Sequence, residues 1–175
     1  MSQKREDLIK IATNTIQKSG INKLTMRELG NAANIKSSSV MYHFKNKDGL
    51  MNELVKVYNE NFFNYLEEIN IQTIEPKKRL EKLVNLFESV LEEDKLCLCG
   101  MLASESDNLD ITSKEYLKEF FFNLDEWIEK NLILLNLDKS LSKVISSSLE
   151  GALLVDKLEN KNIRLQAIKQ WIRSL

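Results

Sequence analysis

A single proline and five glycines among 175 residues leave this chain little material for the turns of a β-sheet. Apolar residues instead recur at spacings of three and four over long stretches, so the sequence predicts an all-α fold. A first helix is expected over about Lys4 to Ser19, with Leu8, Ala12 and Ile16 on one face and Gly20 ending it. Thr25-Met-Arg-Glu28 has the spacing of a capping box and starts a second, short helix. Asn34 suits a left-handed turn, and Ser37 or Ser38 is expected to cap a third short helix through Phe44. "KNKD" reads as a loop, with Asp48 near the start of a longer fourth helix. Pro76 suits the first turn of a fifth, which runs to about Glu93. "CLCGMLASESDN" reads as a short helix interrupted near Gly100. Thr112 or Ser113 is expected to open a long helix through Leu135, and two more cover about Asp138–Leu158 and Asn162–Leu175.

The net charge of −1 conceals an asymmetry. Residues 1–50 hold nine Lys/Arg against four Asp/Glu, a surplus of five, and the remainder is correspondingly acidic. A basic head on an acidic body points to a polyanionic partner for the head. No apolar run approaches the roughly 20 residues of a membrane span, and "MSQKREDLIK" lacks the core of a signal peptide. Cys97 and Cys99 are too close for a framework disulfide. The expectation is a cytoplasmic protein with reduced thiols and no membrane partner.

The segment "TMRELGNAANIKSSSVMYHFKNKDGL" holds the only histidine. Two short helices joined by a tight turn and preceded by a third form a helix-turn-helix unit. Leu29, Ala32, Ile35, Val40 and Phe44 are expected to supply its core. Ser37, Ser38, Ser39, Tyr42 and His43 then lie on the outer face of the recognition helix. Small hydroxyl side chains let a helix approach the major groove closely, while Tyr42 and His43 can donate to phosphate oxygens. Thr25, Arg27, Lys36 and Lys47 complete the candidate DNA-contact set.

At these residues the chain resembles the TetR/AcrR family of bacterial transcriptional regulators. The resemblance rests on Thr25, Ile35, Tyr42, His43, Phe44, Lys47, Asp48 and Leu50, in order and spacing over residues 4–50. It implies an N-terminal helix-turn-helix unit, residues 1–50, followed by a larger helical-bundle domain for ligand binding and dimerisation, residues 51–175. The sequence departs from the family pattern at Asn34 and Gly30, where Gly and Ala are usual, and at Ser38 and Met41. In an isolated helix Gly30 is expected to cost about 0.5–1 kcal/mol.

The resemblance further implies double-stranded operator DNA, a second copy of the chain and a small-molecule effector as partners, a nucleoid location, and repression as the default mode. "LEGALL" looks like the family's dimerisation text, so Ile145, Ser148, Leu149, Ala152, Leu153, Ile168, Trp171 and Ile172 are the candidate dimer residues. "CLCGMLASE" resembles a cysteine-containing subset in which the first cysteine senses electrophiles or oxidants, here Cys97. An effector cavity of the family's kind is expected to involve Phe87, Cys97, Met101, Glu105, Tyr116, Phe120, Phe121 and Trp127. Aromatic residues at helical spacing serve equally well as ordinary core. No catalytic triad order, zinc spacing or glycine-rich phosphate loop is present, so neither an enzyme nor a cofactor is expected. Two rival readings stand beside the ligand-responsive repressor: a thiol-based sensor acting through Cys97, and a helical interaction protein or enzyme that has lost DNA binding.

Overall fold

The computed structural model describes residues 3–175, and those residues form nine α-helices and two 3-10 turns with no strand. The helices are α1 (Gln3–Ser19), α2 (Met26–Ala32), α3 (Ser37–Phe44), α4 (Lys47–Gln72), α5 (Pro76–Glu92), α6 (Leu98–Ser104), α7 (Ile111–Leu134), α8 (Leu141–Glu159) and α9 (Arg164–Ser174). By internal contacts the chain divides into two compact units. The first holds residues up to Glu60 together with Leu98–Lys118, and the second holds Asn61–Cys97 and Glu119–Leu175. This division falls within α4 and α7 and is distinct from the functional division drawn at residue 50.

In the first unit, Leu8, Ala12 and Ile16 of α1 are fully buried, as their spacing requires. The Thr25 hydroxyl accepts from the Glu28 amide and the Glu28 carboxylate accepts from the Thr25 amide, both at 3.1 Å, which completes the capping box. Asn34 takes the left-handed conformation, at φ 53°. Leu29, Val40 and Phe44 are buried as expected, but Ala32 is exposed and Ile35 half-buried, so the small core is narrower than the apolar pattern suggests.

Gly30 reverses its expected role. A Cβ there would sit 2.8 Å from the Ile35 carbonyl oxygen and 3.2 Å from the Ser37 amide nitrogen, so the bare backbone is what lets α2 meet the start of α3. Gly30→Ala should therefore destabilise by about 1–3 kcal/mol rather than stabilise, read as a lower urea midpoint. The turn between α3 and α4 relies on the same device. A Cβ on Gly49 would lie 2.2 Å from the Phe44 carbonyl oxygen.

Several expected helix starts are displaced. Lys36, not Ser37 or Ser38, occupies the N-cap of α3, and no side chain caps it. Lys47 is already helical, since the Asn46 side chain accepts from the Gly49 amide at 2.8 Å and begins α4 earlier than the "KNKD" loop reading allowed. Helix α6 runs through Gly100 without interruption. Helix α7 begins before Thr112, because the Asp110 carboxylate accepts from the Ser113 amide at 3.0 Å. Burial opposes ionisation of Asp110, but hydrogen bonds from Ser113, Asn52 and Thr112 outweigh it and hold the carboxyl below its ordinary range. Asn52 donates to Asp110 at 3.1 Å, and Asn59 donates to the Tyr116 carbonyl at 2.9 Å, so the first turns of α7 are fastened to α4.

In the second unit, α9 runs antiparallel to α5. The buried Glu88 carboxylate accepts from Asn162 at 3.0 Å, from Lys169 at 2.8 Å and from Gln166. Asn162 thus serves α5 and does not begin the last helix, which starts at Arg164. The cap of α9 comes from farther away. Asp156 on α8, fully buried, accepts from the backbone amides of Arg164 at 2.9 Å and Leu165 at 3.0 Å, and also from the Arg164 guanidinium at 3.1 Å.

Candidate nucleic-acid interface

Helix α3 is held by one face and free on the other. Val40 and Phe44 are 0% and 3% exposed, which fixes its rotation against the first unit. Arg5 of α1 strengthens that anchor. Its guanidinium lies 5.2 Å from the centre of the Phe44 ring and pairs with Glu53 of α4, a hydrogen bond that raises the Arg5 pKa further. Lys4 donates to the Ala33 carbonyl at 3.3 Å and closes the end of α2.

On the opposite face Ser38, Ser39 and Met41 are exposed, and Tyr42 is 85% exposed. An aromatic ring left so open on an otherwise anchored helix is available to a partner. His43 is half-buried and meets the Tyr42 ring edge-on, with centroids 5.6 Å apart, so the two rings constrain each other. Ser37 is half-buried. Lys36 and Lys45 stand exposed at the two ends of α3, with Lys47 beyond, while Thr25 and Arg27 are exposed at the start of α2. The Thr25 hydroxyl accepts the capping bond and can still donate its proton outward.

The effector candidates divide between the units. Met101, Glu105 and Tyr116 are half-buried in the first, where Glu105 accepts from Asn108 at 3.0 Å. Tyr116 also borders a 390 Å³ cleft with Arg5, Glu53, Lys56 and Glu60, whose charges neutralise one another in pairs. Phe87, Cys97, Phe120 and Trp127 are buried in the second unit, and Phe121 is half-buried there. Phe120 packs at the centre of an aromatic group, with ring centroids 4.9 Å from Phe62, 5.6 Å from Phe63 and 5.3 Å from Phe121.

Of the candidate dimer residues, Ile145, Leu149, Ala152, Leu153 and Ile172 are buried within a single chain, where they form the core of the second unit. Ser148, Ile168 and Trp171 are half-buried. The exposed face of α8 carries Val144, Leu154 and Leu158. Gly151 lies between them, with nothing within 4 Å of where a Cβ would be.

Among the polar residues that escaped the sequence reading, one lies inside the second unit with an unpartnered atom. Glu150 buries its Oε1 without a hydrogen-bond partner, and burial pushes its pKa up to about 7, opposed only by a hydrogen bond with Cys97. Its signal was present: a lone acid in "SSSLEGALLV", next to Leu149 and one turn from the inward-facing Ser146 and Leu153. Among the described residues, no group of three or more His, Cys, Asp or Glu is placed to hold a metal, and no helix is long and apolar enough to cross a membrane.

The fold and the open recognition helix define a helix-turn-helix protein with a helical companion unit. Residues 8–54 match the family model "Bacterial regulatory proteins, tetR family". Over 83 residues, 47% of this chain, the sequence is 29% identical to the HTH-type transcriptional repressor KstR2 of Rhodococcus jostii (strain RHA1). The matched stretch spans only 41% of that relative's length. A TetR transcriptional regulator from Legionella pneumophila superposes with a TM-score of 0.93 at 28% identity, covering 99% of this chain and 97% of the other. A TetR-family regulator from Agrobacterium tumefaciens shares the fold at a TM-score of 0.91 and 20% identity, covering 98% and 97%. Residues 8–54 thus carry the helix-turn-helix segment of the tetR family model, and the chain as a whole shares the fold of TetR-family regulators.

Proposed function

We propose that this protein is a homodimeric, ligand-responsive transcriptional repressor that reads a palindromic operator with α3. The observation that carries the reading is the nearly complete exposure of Tyr42 on a helix whose other face is locked by Val40 and Phe44. Ser38, Ser39, Tyr42 and His43 face the groove, and Thr25, Arg27, Lys36 and Lys47 contact the flanking phosphates. Phosphate contacts position the dimer, so affinity should fall steeply with salt. The functional division at residue 50 separates this reader from the dimerising and effector-binding part.

A dimer is required to address two half-sites about 34–36 Å apart. The exposed stripe of Val144, Gly151, Leu154 and Leu158 on α8, with half-buried Ser148 among them, is the face offered to the second copy, and the buried candidates support it from beneath. An effector would favour a dimer whose recognition helices no longer match the half-site spacing. A thiol-sensing mechanism through Cys97 is disfavoured. Cys97 is 3% exposed and bonded to an acid, the opposite of the open, cationic setting that activates a thiol.

Selection of bound fragments from the source genome supplies the operator, and gel-shift titration then compares wild type with a Tyr42→Ala/His43→Ala variant. The expected result is a discrete shift by wild type and at least a tenfold loss in the double variant, with unchanged helical content. An undiminished shift in the variant would contradict the assignment of α3.

A further inference from the structure

Glu150 is half-buried, but its Oε1 is enclosed without a partner, as are Trp127 Nε1, Asn131 Oδ1 and Asn162 Oδ1, and of these four residues only Glu150 is an acid. A buried acceptor without a donor costs about 1–3 kcal/mol, and more when charged, so such atoms are rare unless something binds them. Its surroundings follow from helix register. Lys157 of α8 meets Asp94, just beyond α5, at 2.8 Å, and the two helices run parallel because both are antiparallel to α9. Counting two turns back along α8 from this contact puts Glu150 beside the last two turns of α5, which carry Phe87. On the other side, the Ser146 hydroxyl donates to Asp125 of α7 at 2.6 Å. One turn farther along these antiparallel helices, Glu150 stands level with Phe121, the neighbour of the Phe120 ring group. Cys97 donates to the carboxyl group from the α5–α6 connection. Among the described residues, no basic side chain offsets its charge.

Aromatic residues on the two flanking helices and an enclosed carboxyl oxygen without a donor are the ingredients of a small-molecule site, in which apolar walls supply affinity and a few polar atoms supply orientation. We infer that the Glu150 carboxyl is the polar recognition point of the effector, and that it selects small apolar molecules bearing a single hydrogen-bond donor, an amine or an alcohol. The inference rests on the ligand-responsive reading above and specifies its ligand class. An ammonium group would supply both the missing donor and the missing countercharge, while a hydroxyl would supply the donor alone. A hydrocarbon of the same shape leaves Oε1 unsatisfied.

The test uses the full chain and two matched trios: toluene, benzyl alcohol and benzylamine, and hexane, hexanol and hexylamine. Binding is followed by intrinsic tryptophan fluorescence and by thermal shift in wild type, Glu150→Gln and Glu150→Leu. Both variants remove a buried acid and should fold. In wild type the amine and alcohol of at least one trio should bind at least tenfold more tightly than the hydrocarbon. Glu150→Gln, which keeps a neutral acceptor, should retain the alcohol and lose the amine's advantage. Glu150→Leu should bind all members of a trio alike. Equal binding of a trio in wild type, donor preference that survives in Glu150→Leu, or no binding of any compound overturns the inference. Release of operator DNA by a compound whose effect ignores Glu150 would also overturn it while leaving the regulator reading intact. Failure of the wild-type chain to bind any DNA would sink the regulator reading instead.

Discussion

Glu150→Gln should stabilise the chain by about 2 kcal/mol near pH 8 and change it little near pH 5. The Glu150 carboxyl is raised from an ordinary value of 4.5 to about 7 by burial, with the Cys97 hydrogen bond only partly opposing the shift. The folded state therefore holds this proton more tightly than the unfolded chain. Stability contributed by the group is intact below about pH 4.5 and is lost as pH rises through about 7, because the folded chain must then carry a buried carboxylate. A shift of that size corresponds to about 3 kcal/mol. Glutamine removes the charge but leaves a buried amide donor that costs about 1 kcal/mol, which gives the net figure. Urea unfolding of both proteins at fixed concentration across this pH range measures the difference, and other titrating groups cancel between them. A difference independent of pH would mean that Glu150 is not ionising in the core.

Asp156→Ala should destabilise by about 3 kcal/mol, the largest loss expected from any single polar truncation here. Asp156 is fully buried and receives two backbone amides from the first turn of α9. Removing it orphans the Leu165 amide in the interior and uncaps the helix. The Arg164 guanidinium is partly exposed, so it turns to Glu159, already 3.1 Å away, and adds little to the cost. Asp156→Asn keeps an acceptor in place and should cost about 1 kcal/mol. Denaturant midpoints separate the two variants. Equal effects would show that charge, not capping, is what Asp156 contributes.

The features legible in the sequence were those whose cause is local. The capping box of Thr25 and Glu28 closes within four residues, Asn34 carries its own left-handed tolerance, and Pro76 occupies the first turn of α5 where its missing amide costs nothing. The open face of α3 was legible for the same reason, since eight residues of helix with Val40 and Phe44 inward leave Ser38, Ser39 and Tyr42 outward. What escaped depends on groups far apart in the chain. The α9 cap is supplied by Asp156 from the preceding helix, which no search for a local cap residue would find. Gly30 is a weakness only for an isolated helix, because in the fold the Ile35 carbonyl turns back against it. The apolar residues of α8 were legible as a set, but periodicity alone does not say which face meets its own core. Ile145, Leu149 and Leu153 turn inward, and Val144, Leu154 and Leu158 turn outward.

The central claim is that α3 reads DNA through an exposed polar face set among phosphate-binding cations. Its most direct test is the salt dependence of the wild-type dissociation constant on a selected operator fragment, measured by fluorescence anisotropy beside Lys47→Ala. The account predicts affinity that falls linearly on a double-logarithmic plot, with the Lys47→Ala slope shallower by about 0.9 because one phosphate contact is gone. A flat wild-type plot, or binding indifferent to the fragment's sequence, would contradict it.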